Sequence, residues 1–231
     1  MQLIPVIDLM KGNVVHAKRG ERSSYLPLKS KLTESYQPEA VVNALLSVFS
    51  FRRLYIADID SIQRQGSNYD VINQLHNLFP SLELWIDIGI KDKNDMDLFQ
   101  WSSTLRPVVG SETLIDCSTL EQITKSYHPV LSLDFRDKQF FGPPELLTLP
   151  HYWTKDIIIM SLTHVGSDQG PDMERLQNFK KDISERNIYA AGGIREIADV
   201  VALERLGVAG ALLASALHEN KLPTEVIQRY A

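Results

Sequence analysis

The sequence predicts one (β/α)8 barrel, a TIM barrel carrying an internal half-barrel repeat, and three observations carry that prediction. Eight short apolar runs alternate with helical patterns along 231 residues, a length that α/β barrels commonly fill as one domain. Most of those runs end in an acid, a glycine or a serine, on the carboxyl side where α/β folds place their chemistry. The strand-end motifs also recur in the same order in two halves, about 1–126 and 127–231, of a single domain spanning 1–231.

Taken in order, Leu3-Ile4-Pro5-Val6-Ile7 is a run suited to a strand buried on both faces, and it ends at Asp8 before a turn, Met10-Lys11-Gly12-Asn13. Val14 to Ala17 reads as a short extended piece, and Lys18 to about Gln37 as a long polar loop carrying Arg19, Gly20 and Arg22. Pro38 opens a helix with Val41, Val42, Leu45, Leu46 and Phe49 at helical spacing. The second strand, Leu54 to Ala57, ends at Asp58-Ile59-Asp60, and a helix from about Tyr69 to Leu78 stops at Phe79-Pro80. Leu84-Trp85-Ile86 is the third strand, ending at Asp87-Ile88-Gly89, and Asp92 to Trp101 is expected to be helical. Pro107-Val108-Val109 ends at Gly110-Ser111, a helix lies near Leu120, and Val130 to Leu133 ends at Asp134. Strands six, seven and eight are Ile157 to Met160, Ile188 to Ala191 and Ala211 to Ala214, with helices over Pro171 to Lys181, Arg195 to Leu206 and Thr224 to Tyr230. An open doubly wound sheet seldom needs eight strands in so short a chain, and no Gly-x-Gly-x-x-Gly follows the first strand.

Composition narrows the function. With 44% hydrophobic and 23% charged residues the chain reads as an ordinary soluble globular protein. A net charge of −5 argues against a nucleic-acid binder. One cysteine, Cys117, forbids an internal disulfide, and no run is long enough to span a bilayer, so a cytoplasmic protein without membrane partners is expected. Six scattered histidines lack metal spacing and no cysteine accompanies them, so a zinc site is not expected.

The halves correspond at their strand ends: Ile7-Asp8 with Leu133-Asp134, Gly89-Ile90-Lys91 with Gly193-Ile194-Arg195, and Gly110-Ser111 with Ala214-Ser215. The same step in sequence separates Gly89 from Gly193 and Ser111 from Ser215. Strands one and five face each other across a closed barrel, so Asp8 and Asp134 are expected on opposite sides of one pocket, suited to paired acid and base work. Gly192, Gly193 and Ser215, at the ends of strands seven and eight, suit phosphate, because glycine lets backbone amides approach an anion at a helix start.

Ile4-Pro5-Val6-Ile7-Asp8-Leu9, Gly12-Asn13-Val14-Val15, Arg19-Gly20, Gly110-Ser111, Leu133-Asp134 and Gly192-Gly193-Ile194 together resemble the phosphoribosylformimino-aminoimidazole carboxamide ribotide isomerase family of histidine biosynthesis. The resemblance implies an Amadori rearrangement of an aminoaldose to an aminoketose on a small phosphorylated sugar-amine, without metal or cofactor. It makes Asp8 the base at C2, Asp134 the acid that opens the ribose ring, and Ser161 or Thr163 an assisting hydroxyl. It makes Arg19, Gly20, Gly89, Gly110, Ser111, Gly192, Gly193 and Ser215 substrate-binding, in a monomer or weak homo-oligomer. Two departures stand out. Asp87 occupies a strand-three end that is usually glycine-rich, and Glu112 adds a second negative charge, so a phosphate there meets like charges costing kilocalories rather than tenths. The expectation is therefore an isomerase, or a divergent paralogue acting on a related, singly phosphorylated substrate. The sister cyclase subunit of imidazole-glycerol-phosphate synthase and a non-catalytic phospholigand-binding barrel are the other readings.

Overall fold

The computed structural model describes residues 1–167, 169–181 and 185–230. Its eight parallel strands are, in order, Gln2–Met10, Arg53–Asp58, Glu83–Asp87, Leu105–Gly110, Val130–Arg136, Asp156–Ser161, Asn187–Ala191 and Gly210–Leu213. Each pairs with the next, and strand eight returns to strand one through Gln2↔Gly210 and Ile4↔Leu212, which closes the barrel. Strands one and five each continue into an antiparallel hairpin, formed by Asn13–His16 and Gln139–Phe141. In these hairpins Asp8 lies opposite Val15, and Asp134 opposite Phe141.

The two-residue period of a strand sorts the side chains into two cores. Leu3, Ile7 and Leu9 of strand one, Leu84 and Ile86 of strand three, and Leu131, Leu133 and Phe135 of strand five point outward to the helices. Ile4, Trp85, Val130, Ile158, Tyr189 and Leu212 point inward and fill the barrel. Asp8, Asp87 and Asp134 have the inward parity, so the alternation that buries the outer core also aims three carboxylates at the axis. Around the sheet, Pro38–Val48 buries Val41, Val42 and Leu45. Ile197–Leu206 ends at Gly207, whose φ of +76° forms the left-handed cap.

The amino-terminal end of the barrel is closed by ions and an aromatic. Arg53 Nε donates to Glu83 at 2.8 Å, and Arg106 donates to Glu83 at 3.1 Å and to Asp156 at 2.9 Å. Trp85 Nε1 donates to Glu83 at 2.8 Å, and its ring lies under both guanidinium groups, 5.3 and 5.6 Å from Arg53 and Arg106. Burial opposes ionisation of Glu83, but these donors outweigh it and hold its carboxyl below the usual range.

The expected elements are present, with three differences. Asp92 to Trp101 is not an α-helix: only a 3-10 segment, Lys93–Leu98, forms, with Met96 its single buried residue. Its Asn and Asp side chains favour tight turns over helix. Between strands five and six, where no helix was expected, two short turns form, Glu145–Thr148 and Pro150–Tyr152. The helix after strand seven starts at Ile197 rather than Arg195, because the Arg195 amide and guanidinium are both held by Asp199. No described helix is long and apolar enough to cross a membrane.

Candidate active site

A cavity of about 150 Å³ opens at the carboxyl end of the barrel. Asp8, Asp87 and Asp134 reach it from strands one, three and five, and Tyr55, Val6, Met160 and Leu212 form its floor. The three carboxyls are held differently. Asp8 accepts no hydrogen bond from the described residues. Burial raises its carboxyl to about 7, with Arg22 opposing and Asp87 adding to the rise.

Asp134 is buried and firmly held. Its Oδ1 accepts from Ser132 Oγ at 2.7 Å and its Oδ2 from the Glu112 amide at 3.1 Å. Burial first, then the charge of Glu112, pushes this carboxyl up to about 7. Ser111 Oγ lies 3.2 Å from Asp134 Oδ2 and 2.6 Å from the Phe141 carbonyl. A serine has one proton for two acceptors, and the shorter contact takes it. The longer contact becomes a hydrogen bond when Asp134 carries the proton, which agrees with its raised pKa.

Asp87 faces the cavity. Its Oδ2 accepts from Tyr55 OH at 3.0 Å and its Oδ1 from the Gly89 amide at 2.9 Å. Burial raises it to about 6 against those two donors, with Glu112 adding to the rise. Gly110 explains how two acids fit side by side: a Cβ there would sit 3.3 Å from Asp134 Oδ2 and 3.6 Å from Asp87 Oδ2.

The roof comes from three loops. Arg22, in the loop after strand one, crosses to form an ion pair with Glu112 after strand four. The Arg19 amide donates to the Val165 carbonyl at 2.7 Å, joining the first loop to the loop after strand six. Gly166 permits that approach, since a Cβ there would lie 2.3 Å from the Ala17 carbonyl oxygen. On the far side, Gly192, Gly193, Arg195, Ser215 and Lys221 line the cavity. Ser215 and Ala216 open a short helix, and their amides have no acceptor among the described residues.

The residues expected from the sequence divide accordingly. Asp8, Asp134, Gly20, Gly192, Gly193 and Ser215 are brought together around the cavity. Ser111 and Gly110 stand behind Asp134 rather than in the lining, and Gly89 packs against the Ile62 backbone while holding Asp87. The Arg19 side chain is exposed and outside the lining, and the cation over the cavity is Arg22. Neither strand-six hydroxyl lines the cavity: Ser161 is buried, and Thr163 Oγ1 accepts from the Asp137 amide at 2.9 Å. Asp58 and Asp60 tie loops together, Asp58 through Ser61 and Asn68 and Asp60 through the Lys11 amide at 2.6 Å. Sequence reading missed Tyr55 and Ser132. Inward parity with Ala57 and Asp134 was the signal that could have found them. Among the described residues no group of three or more His, Cys, Asp or Glu is placed to hold a metal ion.

A model of the histidine biosynthesis proteins matches residues 2–223. The chain belongs to the histidine biosynthesis protein family. It is similar to an uncharacterized protein of Methanocaldococcus jannaschii, 31% identical over 98% of this chain and 97% of the relative. It is also similar to the 1-(5-phosphoribosyl)-5-((5-phosphoribosylamino)methylideneamino)imidazole-4-carboxamide isomerase of Nitrosopumilus maritimus, 28% identical over 97% of each chain. The isomerase of the same name from Listeria monocytogenes is 25% identical over 96% of this chain and 95% of the relative.

Proposed function

We propose that the protein is an aldose–ketose isomerase that carries out an Amadori-type rearrangement of a phosphorylated ribosylamine, with Asp8 and Asp134 as the acid–base pair. One observation carries the reading. Two inward carboxyls, both raised to about 7, stand on one cavity, one without a protein donor and the other held in a hydrogen-bonded cage. A group near the working pH exchanges protons in both directions, which is what acid–base catalysis requires.

The chemistry follows from that difference. Asp134, protonated, gives its proton to the ribose ring oxygen as the C1–O bond breaks and the nitrogen lone pair forms C1=N. Asp8, ionised, then removes the C2 proton, and the electrons move into an enaminol. Return of a proton to C1 and loss of the O2 proton leave the aminoketose, so atoms balance without an oxidant or reductant. The cage of Ser132, the Glu112 amide and Ser111 keeps Asp134 aimed. Asp8, lacking donors, keeps its lone pairs for carbon-bound hydrogen. Gly192, Gly193 and Ser215 offer open amides to a phosphate, beside the ion pairs of Arg195 with Asp199 and Lys221 with Glu219. The matched hairpins after Asp8 and Asp134 support reading the barrel as two related halves. The family match and the isomerases among its relatives support the reaction class.

The test is turnover of the relatives' bisphosphorylated substrate and of singly phosphorylated ribosylamines by the wild type and by Asp8→Asn. Loss of turnover by several orders of magnitude with affinity retained is expected. Undiminished turnover by Asp8→Asn would remove Asp8 from the mechanism.

A further inference from the structure

The two ends of the cavity differ in the donors they leave open. At the end of strands seven and eight the Ser215 and Ala216 amides have no acceptor among the described residues, and Arg195 and Lys221 stand beside them in ion pairs with Asp199 and Glu219. At the end of strands three and four five donors are already used by this chain. The Gly89 amide is taken by Asp87, the Glu112 amide by Asp134, the Ser111 amide by the Ser132 carbonyl, the Thr113 amide by the Gly110 carbonyl and the Thr113 hydroxyl by the Ile90 carbonyl. Arg22 is spent on Glu112. What this end presents to a ligand is acceptor oxygen: Asp87, steadied by Tyr55, with the unbonded oxygens of Asp8 nearby.

A second phosphate would have to displace Asp87 from its two donors and draw Arg22 from Glu112, leaving two carboxylates beside the incoming anion. A protonated nitrogen needs neither rearrangement. It takes up the remaining Asp87 lone pairs and offsets the charge that burial disfavours. Resting on the reading of strands seven and eight as the phosphate end, we propose that Asp87 is the specificity-determining residue of this cavity, accepting a cationic amine or amidine on the substrate, which therefore carries one phosphate and not two.

The experiment compares ω-aminoalkyl phosphates with alkanediyl bisphosphates of the same chain length by isothermal titration, with orthophosphate as the common reference. Wild-type protein is expected to bind the aminoalkyl phosphate at least ten-fold more tightly than its bisphosphate partner. Asp87→Asn should reduce that ratio at least ten-fold while leaving orthophosphate affinity unchanged. Tyr55→Phe, which removes only the steadying hydroxyl, should reduce it less and serves if Asp87→Asn does not fold. Equal or tighter binding of the bisphosphate by wild type, or a ratio unmoved in both variants, overturns the proposal. Orthophosphate binding that is absent, or that survives Gly193→Ala, overturns instead the phosphate assignment beneath it.

Discussion

Replacing Asp134 by Asn should cost stability in acid and make up for it as pH rises to alkaline values. The Asp134 carboxyl rises from 3.8 to about 7 on folding. The folded chain therefore holds a proton between those values that the unfolded chain has released. Its contribution to stability is fully present below about pH 4 and is lost progressively as pH rises to about 7. At 1.36 kcal/mol per unit, the loss is about 4 kcal/mol, a ceiling because part of the shift is repulsion from Glu112 and Asp87. In the cage the Asn oxygen replaces Oδ2 and accepts from the Glu112 amide, while its NH2 replaces Oδ1 and faces Ser132 Oγ. The buried Ser132 hydroxyl proton, which goes to Oδ1 in the wild type, loses its acceptor, a pH-independent cost of about 1–3 kcal/mol. The assay is urea unfolding of both proteins from pH 4.5 to 8.5, read as the difference between them, which cancels the other titrating groups. The variant should gain on the wild type as pH rises, by several kcal/mol at pH 8. Parallel curves would refute the buried, protonated Asp134.

Arg22→Ala should move the acid limb of the kcat/KM profile to higher pH, because Arg22 is the charge that lowers Asp8; a limb that stays in place would separate the loop cation from the base. Arg106→Met takes the cation from Asp156, which is left with its Asn187 and Tyr189 donors, and weakens the bracing of Glu83 beneath the barrel. It should cost about 3–5 kcal/mol in urea unfolding, as removal of one buried ion partner does, with kcat/KM unchanged. A loss below about 1 kcal/mol would mean the floor is already solvated.

The barrel was legible in the sequence because each strand end announced itself: Asp8, Asp58, Asp87, Gly110 and Asp134 all close apolar runs. Local patterning dictates such features, and parity then decides which side chains face the axis. The orientation of Asp87 was beyond motif reading, although counting two residues from Trp85 would have pointed it inward. What patterning could not show was pairing across the mouth. Arg22 and Glu112 are ninety positions apart, and only the closed barrel brings the first loop over the fourth strand. Ser161 or Thr163 was the assisting hydroxyl that the family resemblance implied, whereas the hydroxyls beside the acids belong to Ser111, Ser132 and Tyr55.

The ion-and-indole floor makes the cavity a blind well. With Arg53, Glu83, Arg106, Asp156 and Trp85 sealing one end, a ligand reaches this cavity, among the described residues, from the carboxyl end, beside the loop that carries Arg22. On the proposed isomerase reading, the ion pair of Arg22 with Glu112 lies across the path of substrate and product. Opening and reclosing that pair would then set an upper bound on the rate that no improvement in the carboxyl pair can raise.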